Sequence, residues 1–226
     1  MGTVGVSGKL EKQLKKKQKN TRLQSRTYFF VKRVFDLVFA SVMLVALSPL
    51  LLLVTVLIRL TSKGPAIYKH RRVGLYGKPI DVLKFRSMIE NADTMTSSFD
   101  DERQIEWNEN FKVQDDPRVT KLGLFLRKSS LDELPQLINI LRGDMTLIGP
   151  RPITAEELER YGEDAERFVS VLPGLTGYWQ AYARNDCSYE QRMKMELHYI
   201  KNANILWDIQ IFFATFIRVA TGKGAS

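Results

Sequence analysis

From Leu37 to Ile58 the chain runs for 22 residues without a charge, between Asp36 and Arg59. As one straight helix this stretch would measure roughly 33 Å, enough to cross a hydrocarbon core. Ser48-Pro49 stands at its centre, where proline removes a backbone donor and kinks a helix. Both flanks are basic, with Lys32 and Arg33 before it and Arg59, Lys63, Lys69, Arg71 and Arg72 after it. A spanning helix normally differs in charge between its two sides. Positive charge on both sides therefore predicts a re-entrant helix-break-helix hairpin, with an ordinary kinked span as the alternative. The stretch is too long for a signal-peptide core, and no small-residue cleavage site follows it.

Beyond Lys63-Gly64-Pro65 the pattern becomes that of a small folded domain. Residues 66–68 and 80–85 read as short strands joined through residues 74–79, a hairpin. Residues 90–117 are polar and acidic, a surface excursion with some helix. Thr120 to Lys128 has helical spacing, and a second helix over Asp132 to Leu141 takes Asp132 as its N-cap with Pro135 in the first turn. A strand is expected at Met145 to Ile148, then helices at about 154–171 and from Tyr189 to Asn202, with 172–177 as loop between them. The last helix, Ile205 to Thr221, puts Leu206, Ile209, Phe213, Phe216, Ile217 and Ala220 on one stripe, with Phe212 beside it and Trp207 and Arg218 at its edges. That face suits either a bilayer interface or packing on the core. The fold class is α+β, mainly helical: a basic arm over 1–33, a helix-break-helix membrane segment over 34–60 and a folded domain with short strands over 61–226.

Charge sharpens this division. The whole chain carries 34 Lys or Arg against 25 Asp or Glu, a net +9. Residues 1–33 hold ten of those cations and only Glu11 as acid, so the arm accounts for the entire excess. Next to an apolar segment, such an arm is assigned to anionic membrane lipids rather than nucleic acid. The single Cys187 excludes an intramolecular disulfide and fits a reducing cytosolic face. With only His70 and His198 present, a His-rich zinc site is excluded, and His198 reads as a structural helix residue.

Candidate chemistry centres on Asp132-Glu133. At a helix N-terminus, Asp132 would feel the positive end of the helix dipole and keep a low pKa. An ionised carboxylate can serve as a nucleophile toward phosphorus, and adjacent carboxylates can hold Mg²⁺ with substrate phosphates. Asp followed by Glu also opens many purely structural helices, so the pair alone does not decide. Pro150-Arg151-Pro152 holds a guanidinium in a loop stiffened on both sides, which suits phosphate or nucleotide. Lys84 and Arg86 share one strand face and could clamp a diphosphate or merely face solvent. Glycine-rich nucleotide motifs are absent.

Taken in order, several motifs form one pattern: Lys32-Arg33-Val34-Phe35-Asp36, the break at Ser48-Pro49, and Lys84-Phe85-Arg86-Ser87-Met88. They continue as Asp116-Pro117-Arg118-Val119-Thr120, Ser130-Leu131-Asp132-Glu133-Leu134-Pro135-Gln136 and Gly143 to Pro152, then Pro173-Gly174-Leu175-Thr176-Gly177 and Gln180. From about residue 30 to 220 the chain resembles the bacterial sugar transferases, the monotopic phosphoglycosyl transferases. The resemblance implies transfer of a sugar 1-phosphate from a UDP-sugar to undecaprenyl phosphate with release of UMP. It implies Asp132 as nucleophile, Mg²⁺ at Asp132 and Glu133, and Arg151 with its prolines at the nucleotide. Lys84, Arg86, Arg118, Arg127 and Arg184 follow as substrate-binding candidates. Here Ala183-Arg184-Asn185 stands where Gly-Arg-Asn is common in the family.

The resemblance also implies a re-entrant hairpin broken at Ser48-Pro49, with Lys32 and Arg33 at headgroup level and Asp36 near its start. The location is then the cytoplasmic face of a bacterial inner membrane, and this chain matches the minimal catalytic form. A homodimer and downstream glycosyltransferases are the expected protein partners. A membrane adaptor and an anchored nucleic-acid binder are the competing classes, and both leave the dyad and the Pro-Arg-Pro loop unexplained. For a hairpin, a cysteine placed in the N-terminal arm of the Cys187→Ser protein reacts with a maleimide only from the cytosolic side. Labelling from the periplasmic side sinks the re-entrant topology.

Overall fold

The computed structural model describes residues 26–221, apart from 93, 96–98, 112, 114 and 184–186. Most of the basic arm therefore lies outside the described residues. The apolar segment forms two helices, α1 (Arg26–Ala46) and α2 (Ser48–Thr61), bent by 62° at the break. Proline causes the break. Pro49 has no N–H to give the carbonyl of Val45, and the Ser48 hydroxyl donates to that carbonyl instead at 2.8 Å. Among the described residues no single helix is long and apolar enough to cross a membrane, although this bent pair passes such a test together.

The hairpin follows as β1 (Ile67–Val73) and β2 (Pro79–Phe85), antiparallel with Ile67 opposite Phe85 and Val73 opposite Pro79. β1 is longer than its apolar start suggests, because the basic stretch Lys69 to Arg72 also pairs. Within the acidic excursion, α3 (Asp101–Asn110) is capped by the Asp100 side chain, which accepts from the Arg103 N–H. The Thr120 side chain likewise caps α4 (Lys121–Lys128).

The start of the next helix differs from expectation. Ser130 adopts a left-handed φ of 57°, and residues 131–133 wind as a 3₁₀ turn before α5 (Gln136–Arg142) begins. Asp132 therefore lies inside the turn and is not an N-cap. The bonds Glu133 N–H to Ser130, Leu134 N–H to Leu131 and Leu137 N–H to Leu134 are all of the i to i−3 kind, which tightens the winding.

β3 (Thr146–Ile148) pairs in parallel with β4 (Gly174–Thr176), a strand where a loop was expected. Glycine makes this pairing possible. A Cβ on Gly174 would sit 2.2 Å from the Gly149 nitrogen, and one on Gly177 would sit 2.1 Å from the Gly149 oxygen. The expected helix at 154–171 is in fact α6 (Ala155–Glu159), a 3₁₀ turn and α7 (Ala165–Phe168), interrupted where Gly162 takes a φ of 48°. The short helix α8 (Tyr178–Tyr182), which the apolar pattern did not announce, precedes α9 (Tyr189–Asn202) and α10 (Ile205–Thr221).

The main core joins α1, α5, β3, α9 and α10 through residues such as Ala40, Ile140, Met145, Ile148, Ile200 and Ile211. Polar groups fix α1 to it. The buried Asp36 carboxylate accepts from the Leu147 N–H at 2.9 Å and the Thr146 hydroxyl at 2.7 Å. Arg33 donates to the C-terminal carbonyls of α5 at Ile140 and Leu141, while Lys32 pairs with Asp208 at 2.6 Å. These two cations, expected at headgroup level, are thus engaged by protein groups. A second, smaller cluster seats α2 against the hairpin and α4 through Val54, Ile58, Ala66, Phe85 and Leu126.

Removing the Asp36 carboxylate would leave a buried N–H and a buried hydroxyl unmatched, each costing about 1–3 kcal/mol. Asp36→Ala should therefore destabilise the purified protein by about 2–5 kcal/mol and Thr146→Val by about 1 kcal/mol, read as the drop in melting temperature in detergent. Equal drops for the two variants would show that the carboxylate is not the anchor.

Candidate active site

Three elements meet at the dyad: the 3₁₀ turn carrying Asp132 and Glu133, strand β2, and the loop after β3. Asn139 aligns the first two. It is fully buried on α5, accepts from the Leu83 N–H at 2.9 Å and donates to the Asp81 carbonyl at 2.8 Å. With β2 so held, Lys84 reaches Glu133 at 2.9 Å, and Arg151 approaches the same Glu133 oxygen at 3.5 Å. Arg127 donates through Nε to the Ser87 hydroxyl, and Asp132 is the charge that attracts it most strongly. Arg72, Val82, Lys84, Glu133, Gln136 and Arg151 line the cleft between these elements.

Asp132 is only 8 % exposed. Burial pushes its carboxyl up to about 6, with the Glu133 charge adding, while Lys84, Arg127 and Arg151 pull the other way. The expectation of a low value is thus overturned. The residue is not at a helix N-cap facing free N–H groups, and desolvation outweighs the cations.

Behind Arg151 lies a charged network that the sequence pattern did not disclose. The Arg151 N–H donates to the buried Glu196 at 3.1 Å, and its guanidinium stands 6.0 Å from the Trp179 ring. Arg72 and Arg192 both pair with Glu157, at 2.6 and 3.4 Å. Burial opposes ionisation of Glu157, yet Arg192 and Arg72 hold it below the usual carboxylate range. Glu196 is the reverse case: burial pushes it up to about 7 against the pull of Arg192, the Arg151 N–H and the Arg151 charge. The Pro-Arg-Pro loop is rigid for a further reason, since Pro150 and Pro152 are buried and the Pro150 carbonyl accepts from the Gly174 N–H at 2.8 Å.

The model of the bacterial sugar transferase family matches residues 27–222. The chain belongs to the bacterial sugar transferase family. An exopolysaccharide production protein, ExoY, of Sinorhizobium fredii is 46 % identical over 86 % of this chain and 87 % of its own length. An undecaprenyl-phosphate galactose phosphotransferase of Salmonella typhimurium is 43 % identical over 90 % of this chain but 43 % of its own length. The UDP-glucose:undecaprenyl-phosphate glucose-1-phosphate transferase of Escherichia coli is 38 % identical over 86 % of this chain and 41 % of its own. This sugar transferase thus spans most of the first relative and under half of the other two.

Of the candidate residues in this sugar transferase, the fold brings Lys84, Arg127, Asp132, Glu133 and Arg151 together. Arg86 instead donates to the Lys63 carbonyl and holds the turn after α2. Arg118 is 3 % exposed and forked onto Asp116 at 2.6 and 2.8 Å, with Phe99 and Trp107 beside its guanidinium, so it braces the excursion. Arg184 lies outside the described residues. Arg72 was findable, since Tyr68, His70 and Arg72 alternate along β1. Glu157 was findable only as the capping-box partner of Thr154, and no local signal marks Arg192 or Glu196.

A raised carboxyl in the folded state binds its proton more tightly than in the unfolded chain. Stability then falls as pH rises from the ordinary value of 3.8 through about 6, and the cost of burying the charge is complete above that. Asp132→Asn should therefore melt higher than wild type at pH 7.5 by on the order of 2 kcal/mol in metal-free buffer, the gap closing by about pH 4. A variant that melts lower than wild type at pH 7.5 would show that the ionised Asp132 stabilises the fold.

Proposed function

We propose that the chain transfers a sugar 1-phosphate from a UDP-sugar to undecaprenyl phosphate, releasing UMP and starting glycan assembly on a lipid carrier. The observation that carries this reading is Asp132, a carboxylate held among Lys84, Arg127 and Arg151 in a member of a family whose relatives bear those names. An Asp132 carboxylate oxygen bonds to the β-phosphorus as the bond from that phosphorus to the bridging oxygen breaks, and UMP leaves with the electron pair. An oxygen of the polyprenyl phosphate then attacks the same phosphorus, and the Asp132 carboxylate departs. Lys84 and Arg151 meet the charge of the diphosphate, and the buried prolines keep Arg151 from having to be ordered on binding.

Among the described residues no three His, Cys, Asp or Glu side chains gather as a metal cluster. A pair of adjacent carboxylates nonetheless fits Mg²⁺, which completes its shell with substrate phosphates, so Asp132 and Glu133 would hold it. When bound it supplies neutralising charge to the phosphates.

A membrane location is part of the proposal. Exposed apolar side chains include Phe30, Val38 and Val42 on α1, Leu53 and Leu60 on α2, and Phe213 and Phe216 on α10. They support a re-entrant hairpin in the cytoplasmic leaflet of a bacterial inner membrane, with α10 in the interface.

With a UDP-sugar and Mg²⁺, mass spectrometry should find a phosphosugar adduct on the peptide carrying Asp132, with UMP released. Asp132→Asn should abolish the adduct and lower turnover by at least about a thousandfold, ~4 kcal/mol of barrier. Full turnover by that variant refutes the nucleophile, and turnover unchanged by EDTA refutes the metal.

A further inference from the structure

On the face of the hairpin that bears Lys84, β1 contributes Tyr68, His70 and Arg72 at alternate positions, all partly buried. Across the ladder, Tyr68 is opposite Lys84 and His70 is opposite Val82. Val82, Lys84 and Arg72 all line the cleft, so His70 packs beside residues of its lining. Apart from the Tyr68 phenol, the other polar groups that β1 and β2 bring to this face, Arg72 and Lys84, are cations, as is Arg151 from the opposite side.

His70 differs from them in charge. Burial, together with Arg72, Lys84 and Arg151, pushes its imidazole down to about 3, so it is neutral at physiological pH. Its Nδ1 lies 3.4 Å from the Arg72 guanidinium, a group with donors only, so Nδ1 is the acceptor and the ring proton is on Nε2. The Tyr68 ring meets the imidazole edge at 5.6 Å between centroids and 61° between planes. The cations here already serve the charge of a phosphate, whereas a neutral N–H donor beside an aromatic ring brings a hydrogen bond without added charge. It suits an uncharged ring bearing hydroxyl groups.

We propose that His70, with Tyr68 beside it, reads a hydroxyl of the sugar carried on the diphosphate and so sets which sugar nucleotide is used. The inference rests on the transferase reading above and adds to it the residue that discriminates among sugars. A site group that hydrogen-bonds a hydroxyl is left unmatched by an epimer that moves it, and discrimination follows.

The test uses the full chain in detergent with undecaprenyl phosphate, measuring kcat/KM for UMP release from UDP-glucose, UDP-galactose and UDP-N-acetylglucosamine. His70→Phe removes the donor while keeping a ring, and His70→Gln keeps a donor and an acceptor. His70→Phe should change the ratio of kcat/KM between the favoured sugar and its epimer by about tenfold or more, and His70→Gln should restore part of it. UMP affinity should stay within about twofold of wild type in both, with melting temperatures confirming the fold. An equal loss for every sugar nucleotide, or a fall in UMP affinity matching the loss of rate, overturns the assignment to the sugar. Absence of UMP release by the wild-type chain from all three would overturn the transferase reading itself, and this inference with it.

Discussion

A carboxylate buried beneath a membrane-type helix ties this molecule together. Asp36 gives both oxygens to β3, one to a backbone N–H and one to a hydroxyl, within an apolar core that offers water no access. β3 runs directly into the Pro-Arg-Pro loop, so the position of α1 and the position of Arg151 are set by the same few bonds. Arg33 at the end of α5 and Lys32 at Asp208 extend the attachment along one side of α1. The other side keeps its apolar residues exposed. The charged cleft and the exposed apolar surface are thereby held in one rigid relation.

The cleft is built from opposed charges at unequal depth. Glu133 is shared by Lys84 and Arg151, whereas Asp132 is more deeply buried and keeps a raised proton affinity. A group selected to stabilise the fold would sit the other way round, ionised and fully paired. The cost at Asp132 is what the proposed nucleophile would carry in the absence of substrate. Behind it, Glu157 and Glu196 hold the arginines that would otherwise repel one another around the same opening.

The backbone contributes as much as the charges. Gly174 and Gly177 let β4 approach β3 to a distance that no side chain would permit, and the Gly174 N–H then closes on the Pro150 carbonyl. The loop holding Arg151 is therefore fixed by ring constraint, by burial and by a strand pairing at once. Arginines outside this frame took other work: Arg86 steadies the turn after α2, and Arg118 steadies the acidic excursion.

By itself the sequence determined what is local and periodic. The uncharged run and its proline break, the hairpin strands, the helix after Thr120 and the last two helices follow from the spacing of apolar residues. The order of the motifs carried the family and marked Asp132, Glu133 and Arg151. Tertiary structure decided everything that depends on depth and on partners far along the chain. It turned an expected N-cap with a low pKa into a buried carboxyl with a raised one, because desolvation is a property of the surroundings rather than of the helix. Of six candidate cations it set three at the dyad and made two braces, while Arg184 lies outside the described residues. The pairing of Arg72 with Glu157, and the placing of His70 among fixed charges, rest on contacts that no local period encodes.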